Sequence, residues 1–391
     1  MTVAWNRRCF TAALTFLLIA GCQPGGETEP PETRFENAVS RLRSGDDRSG
    51  IAETARELKQ TSGYRQHGRL LEAALQLKSN QPTRALRELQ ALRPEGELVA
   101  PARLFTAEAL YQTGLLADAA ECIRPLVDNP EYAVDAHRWL AAMSFDIGDN
   151  NAALAHLQEV IRLAPDDYRP RALAARMYQD FSQHEAAATH FKAALERSPP
   201  AAQRQELALG LARAQMAMRD YEAAAATLRD ADPDATTLAL RSECHERLGE
   251  SEAAQRALKA ALQLDAGNPD VLSRQADMLL ASGEAEQAVA ILERLVQADP
   301  YDHHARYRLS LAYRQAGRDE DASREAKRVE ELKAKYDRLS ELNNQAIQAP
   351  NDATIRRELA EICDDLGRPR LAEAWRRAAV VIEHSGVAEP D

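Results

Sequence analysis

One pattern of helical spacing recurs along this 391-residue chain at an interval of 34 residues. Three stretches display it best: "WLAAMSFDIGDNNAALAHLQEVIRLAPDD" from Trp139, "ALAARMYQDFSQHEAAATHFKAALERSPP" from Ala172, and "RQADMLLASGEAEQAVAILERLVQADPYD" from Arg274. Each holds two runs with apolar residues three and four apart, which places those residues on one helical face. A small or polar turn separates the runs and a proline closes the second. The turn falls at Gly114, Gly148, Ser182, Gly249, Gly283 and Gly317, and Asn80 extends the register backward. A single helix pair cannot bury its own apolar stripe, so pairs with this register must stack on their neighbours. The expected fold is therefore all-α, a solenoid of stacked antiparallel helix pairs.

The recurring small residues sharpen this. They stand in the first helix at Ala107, Ala141, Ala175, Ala276 and Ala360, and in the second at Ala119, Ala153, Ala187, Ala254, Ala288, Ala322 and Ala372. With closing prolines at Pro165, Pro199 and Pro300, these lines resemble the tetratricopeptide repeat. The resemblance implies a right-handed superhelical α-solenoid with a concave groove lined by first helices. About nine units fit between roughly residues 66 and 385, after a degenerate helical pair near 35–62. Two irregularities are expected. From Ser182 to Gly249 is one residue short of two repeats, with the intervening turn near Arg219. After Gly317 the next turn glycine is Gly367, and "REAKRVEELKAKYDRLSELNNQAIQ" supplies the extra length. Its Glu–Lys and Glu–Arg spacings predict one long charged helix, solvated in the first reading and packed back on the array in the alternative.

The N-terminus is of another kind. Arg7 and Arg8 precede an apolar run from about Phe10 to Ala20, roughly half of the ~20 residues that cross a bilayer as a helix. The following Ile19-Ala20-Gly21-Cys22 resembles the lipobox of bacterial lipoproteins. That resemblance implies cleavage before Cys22, acylation there, and a position in the cell envelope. Gln23 at the next position favours the outer membrane, facing the periplasm, if the organism has two membranes. The organisation read from the sequence is a signal peptide (1–21), lipidated Cys22 with a Pro-, Gly- and Glu-rich tether (22–34), a degenerate helical pair (35–65), the repeat array (66–335), the long-helix end with a C-terminal cap (336–385), and a polar tail (386–391).

The composition excludes several classes of function. The formal net charge of −12 becomes −14 without Arg7 and Arg8, which opposes binding to nucleic acid. Cys122, Cys244 and Cys363 are far apart and odd in number, so they read as small apolar side chains. No phosphate loop, dinucleotide fingerprint or nucleophile elbow occurs. In "HEAAATH" the two histidines, His184 and His190, lie six apart and so on different helical faces. His303 and His304 open a helix, and Asp364 and Asp365 end one. No enzyme, cofactor or metal site is expected.

A binding groove remains. Projecting the first helices places Leu104, Glu108, Tyr111, Arg138, Ala142, Phe145, Asp146, Arg169, Arg176, Gln179, Asp180, Arg213, Met216, Asp277, Leu280, Tyr307 and Arg314 on the concave side. Arg138, Arg169, Arg176 and Arg213 would bring positive charge into an acidic protein, and their planar forks suit an acidic peptide or a free C-terminus. Alternatively these arginines pair with Asp146, Asp180 and Glu206. The family resemblance implies a scaffold for protein partners in pilus assembly, polysaccharide export or outer-membrane assembly. Self-association through the long helix and terminal repeats is the rival reading, and an enzyme or ligand sensor without a motif is a remoter one. The anchor is directly testable: Cys22→Ala should move the protein from the membrane to the soluble fraction and abolish labelling by a fatty-acid analogue.

Overall fold

The computed structural model describes residues 29–45, 48–146, 149–349 and 352–385; Cys22, the tether up to residue 28 and Gly148 lie outside the described residues. Among the described residues the secondary structure is entirely helical, and the chain divides into two compact units at Leu75. The first holds α1 (Pro31–Ser44), α2 (Ile51–Gln60) and most of α3 (Arg65–Lys78). The N-terminal helical pair is thus present, and α1 opens four residues before the expected boundary because Pro31 suits a first helical turn. Phe35, Val39, Leu42, Ile51, Leu58 and Leu70 form the buried interior of this unit. Gly68 permits α2 and α3 to touch: a Cβ there would stand 2.4 Å from the Ala55 carbonyl oxygen.

The second unit is the solenoid. It begins with α4 (Pro82–Gln90) and continues with α5 (Val99–Gln112), α6 (Leu116–Ile123), α7 (Ala133–Asp146) and α8 (Asn150–Leu163). Next come α9 (Tyr168–Asp180), α10 (His184–Leu195), α11 (Ala201–Ala217), α12 (Tyr221–Arg229), α13 (Ala235–Arg247) and α14 (Ser251–Asp265). The array ends with α15 (Pro269–Ala281), α16 (Ala285–Ala298), α17 (His303–Gln315), α18 (Asp319–Gln348), α19 (Ala353–Asp365) and α20 (Pro369–Ser385). Each helix packs chiefly on the helices before and after it in the chain.

Within each pair two small residues twelve apart are buried between the helices. The pairs are Ala107 with Ala119, Ala141 with Ala153, Ala175 with Ala187, Ala212 with Ala224, Ser242 with Ala254, Ala276 with Ala288, Ser310 with Ala322, and Ala360 with Ala372, all 3% exposed or less. Ser242 and Ser310 take the alanine's place, and the Ser242 hydroxyl donates to the Ala254 carbonyl at 2.8 Å. Larger residues such as Leu157, Phe191, Leu228 and Leu292 fill the space between layers.

The turns use left-handed backbone at the end of the first helix. Gly114, Gly249, Gly283, Gly317 and Gly367 have φ between +67° and +85°, and Asn80, Ser182 and Arg219 adopt the same region at +59°, +57° and +64°. The next amide bonds back across the turn, as from Leu115 N–H to the Leu110 carbonyl at 2.9 Å and from Asp220 N–H to the Gln215 carbonyl at 2.9 Å. Arg219 therefore marks the shifted turn the spacing called for, between the lengthened α11 and the short α12. First helices open on acidic or amide caps: Asp167, Asp234, Asn268, Asp302 and Asp352 each accept from an amide in the first turn.

The long helix departs from the first reading of it. α18 is one helix of 30 residues, but it is not simply solvated. Val329, Leu339, Leu342 and Ala346 are buried, and Leu332 and Tyr336 pack against the cluster built by α19 and α20. The Tyr336 hydroxyl donates to the Tyr301 carbonyl at 3.3 Å. The N-terminal half of α18 completes the pair with α17, while its C-terminal half supplies a layer for α19 and α20. Most of its charges are exposed, while Glu325 pairs with Arg306 of α17 and Lys335 and Arg338 with Asp365 and Glu358 of α19, and together they hide the apolar line in composition.

Two substitutions separate the packing and backbone demands. Gly210→Ala would drive a Cβ to 2.6 Å from the Phe191 ring and should cost about 1–3 kcal/mol. Gly114→Ala meets nothing within 4 Å but holds φ at +85°, and should cost about 1–2 kcal/mol from backbone strain alone. Thermal unfolding of the two variants checks this, and only the first should be eased by also replacing Phe191 with Leu.

Candidate functional site

The first helices α5, α7, α9, α11, α15 and α17 carry the projected groove residues. The four arginines are exposed or half-exposed, and each meets a carboxylate. Arg138 reaches Asp167 at 2.7 Å and Asp135 at 3.5 Å. Arg169 grips Asp167 with a fork of 2.8 and 2.9 Å. Arg176 meets Glu206 at 2.7 Å, and Arg213 of α11 reaches over α13 to Asp270 of α15 at 3.1 Å. The arginines thus form a ladder of ion pairs, as in the alternative reading of the sequence. Glu206 is one of the partners expected; Asp167 and Asp270 stand where Asp146 and Asp180 were expected. Burial pushes the Asp167 carboxyl up, but bonding to Arg169 and attraction to Arg169 and Arg138 outweigh it and hold it below the usual range. Pairs this exposed contribute only ~0.2–1 kcal/mol each, so another carboxylate can exchange with those already present.

The remaining projected residues divide. Phe145 and Tyr307 are 45% and 54% exposed, and Arg314 is exposed. Gln179, Ala142 and Leu280 are half-buried, Asp180 is exposed, and half-buried Asp277 has Arg308 at 3.6 Å. Leu104 and Glu108 are not groove residues. Leu104 sits in the core, and Glu108, 5% exposed, is held by the Lys78 ammonium at 2.6 Å. Met216 packs against the cluster formed by Ala212, Ala224 and Leu240, since its half-buried position lies on the inter-helix side of α11. Tyr111 donates to Asp146 at 2.6 Å and lies 5.1 Å from the Trp139 ring, so the pair is already engaged. Burial and the Asp146 bond raise the Tyr111 hydroxyl well above its ordinary value.

Residues singled out for other chemistry are absorbed by packing. His190 stacks on Tyr178 at 5.2 Å, and His303 lies against His304 and Tyr336. Asp365 meets Lys335 at 2.8 Å, and Asp364 pairs with Arg376. Cys244 and Cys363 are fully buried and Cys122 half-buried, all free; burial pushes the Cys244 thiol up to about 12 and the Cys363 thiol to about 11. Among the described residues no group of three potential ligands could hold a metal ion, and no helix is long and apolar enough to cross a membrane.

Two features escaped the sequence reading. Arg171 donates to the Pro165 carbonyl at 2.9 Å and Arg306 to the Pro300 carbonyl at 2.8 Å, so a buried arginine six residues after the closing proline clamps the corner between repeats. The signal was present as a proline and an arginine at that spacing in both lines. The second is a pair of half-buried histidines, His137 of α7 and His156 of α8, with Nδ1 atoms 3.0 Å apart.

Two family models described as tetratricopeptide repeat match, one over residues 70–132 and 144–202 and the other over 247–300 and 279–345, together more than half of the chain. No curated protein matches. Among solved structures the chain is similar to YrrB, a tetratricopeptide-repeat protein with an unusual peptide-binding site, at 16% identity over 45% of this chain and 91% of that one, TM-score 0.29. It is similar to the Cut9–Hcn1 hetero-tetramer of APC/C at 14% identity over 92% and 88%, TM-score 0.38. A tetratricopeptide-repeat protein of Parabacteroides merdae shares 13% identity over 63% and 98%, TM-score 0.40.

Burial lowers both histidines from their ordinary value of 6.5, and for His156 the facing His137 adds to the effect. A base with a depressed folded-state value contributes stability that is complete above about 6.5 and is lost as pH falls through the folded value. The melting temperature should therefore drop as pH falls from 7.5 to 5.5. Replacing both histidines with Gln should flatten part of that slope, leaving the share contributed by His190 and His303, which are also lowered by burial.

Proposed function

We propose that this member of the tetratricopeptide-repeat family is a membrane-anchored scaffold that holds envelope proteins through its first-helix groove while a larger assembly is built. One observation carries the reading: the ladder of exchangeable arginine–carboxylate pairs along successive first helices, with Phe145 of α7 and Tyr307 of α17 exposed on helices of the same kind. Such a row offers a partner segment forks that bind carboxylates and apolar anchors that exclude water, on a frame that need not fold to receive it. An acidic segment would compete with Asp167, Glu206 and Asp270 for Arg138, Arg169, Arg176 and Arg213. The lipobox-like start supports anchoring at Cys22, which would confine the groove to the membrane surface and raise its local concentration there.

The test is crosslinking in native membranes, followed by enrichment and mass spectrometry. The intact protein should capture a defined envelope protein. Arg138→Glu with Arg176→Glu should weaken that capture about tenfold, equivalent to ~1.4 kcal/mol. Cys22→Ala should reduce it by release from the membrane. Exclusive self-crosslinks would contradict the scaffold reading and favour self-association through the terminal repeats.

A further inference from the structure

In one helix pair the small-residue contact also brings two imidazoles face to face. Ala141 of α7 and Ala153 of α8 are 3% and 1% exposed and share one packed cluster with Leu157. His137 stands four residues before Ala141, and His156 three residues after Ala153. Each is therefore one turn from the alanine on its own helix, and because the chain reverses between α7 and α8 both rings fall on one layer. Their Nδ1 atoms lie 3.0 Å apart, with ring centroids at 5.2 Å and 45° between the planes. Other histidines are engaged differently. His303 and His304 are neighbours on one helix, His190 stacks on Tyr178, and His245 meets Glu250 at 2.6 Å.

A hydrogen bond between two neutral imidazoles uses one N–H and one lone pair, so one ring must carry its proton on Nδ1 and the other on Nε2. With both protons on Nε2, a rotation of each ring turns two lone pairs towards one point. Two nitrogens each ~2.0–2.1 Å from a zinc-class ion, at angles between octahedral and tetrahedral, are about 2.9–3.4 Å apart. The 3.0 Å separation lies in that range, so the pair accepts an ion with neither helix displaced. Both rings are half-buried, which leaves a path from solvent. Burial lowers both from their ordinary value, so protons compete little for them near neutral pH. Imidazole suits Zn²⁺, Cu²⁺ and Ni²⁺, whereas Mg²⁺ and Ca²⁺ take oxygen ligands. Among the described residues no group of three potential ligands converges here, and Glu159, one turn beyond His156, is held by Arg162 at 2.9 Å. The remaining positions around an ion would therefore be filled by water.

We propose that His137 and His156 form an open two-histidine site for one divalent zinc-class ion, bound through both Nδ1 atoms and completed by water. The ion replaces the bond between the rings with two coordinate bonds and ties α7 to α8, in the repeat whose first helix carries Arg138 and Phe145. The site does not depend on the scaffold reading.

The experiment uses the full-length protein in detergent, made without a histidine tag and freed of metal by a chelator. Calorimetric titration with Zn²⁺ should show one ion bound per chain, and Mg²⁺ should give no binding heat. With histidine labelled by ¹⁵N, Zn²⁺ should move the Nδ1 signals of two of the nine rings. His137→Gln and His156→Gln, each alone, should weaken Zn²⁺ binding at least about tenfold. Each should also lose the rise in melting temperature that Zn²⁺ gives the unaltered protein. His303→Gln with His304→Gln should bind Zn²⁺ as the unaltered protein does. The labelled-ring measurement needs no substitution, so it decides the matter even where a variant unfolds. No Zn²⁺ binding, signals that move on other rings, or single variants that bind as tightly as the unaltered protein would overturn the inference. Capture of an envelope partner through the arginine ladder is untouched by any of these results.

Discussion

Everything else in the second unit depends on one contact, the meeting of two small residues twelve positions apart in each helix pair. Where Ala175 faces Ala187, or Ala276 faces Ala288, the backbones approach until the side chains beside them can interdigitate. That approach sets how far the next first helix is displaced. It thereby sets which residues of that helix face the groove. The left-handed turn and the corner-clamping arginines fix the ends of each pair, but they act on a geometry the small residues have already chosen.

From this frame the groove chemistry follows. Arg138, Arg169, Arg176 and Arg213 stand on successive first helices, close enough for Arg213 to cross α13 and reach Asp270. A groove that lets one arginine span two repeats brings charges of both signs within each other's range. The result is a self-neutralised ladder along the middle first helices. The long helix contributes by continuing past its own pair. Leu339, Leu342 and Ala346 give α19 and α20 something to pack on, and so carry the last repeat to α6 and α7.

Much of the fold was legible because it is repeated. One Gly114 or one Ala119 says little, but the same residue class at the same interval leaves few alternatives, and even the displaced turn at Arg219 followed from counting. The parts that were hidden depend on relations between distant residues. Leu104 and Glu108 projected into the groove by offset, yet a neighbouring helix covers them, and spacing within one helix carries no trace of that. Asp167 caps α9, and its second role as partner to both Arg138 and Arg169 belongs to the corner between repeats. The apolar line of α18 was masked by the charges around it. The approach of α20 to α6 is a property of how the turns of the array accumulate, and no local pattern encodes it.

The most direct test of this account compares two substitutions of the same kind on one helix. Ala288 is fully buried against Ala276, whereas Ala290, two residues on, is exposed. Chemical unfolding of Ala288→Leu should show a loss of about 1–3 kcal/mol, because the added atoms force the pair apart. Ala290→Leu should stay within about 0.5 kcal/mol of the unaltered protein. Equal unfolding midpoints for the two variants would mean that the small-residue contact does not set the spacing of the helices, and the account built on it would fall.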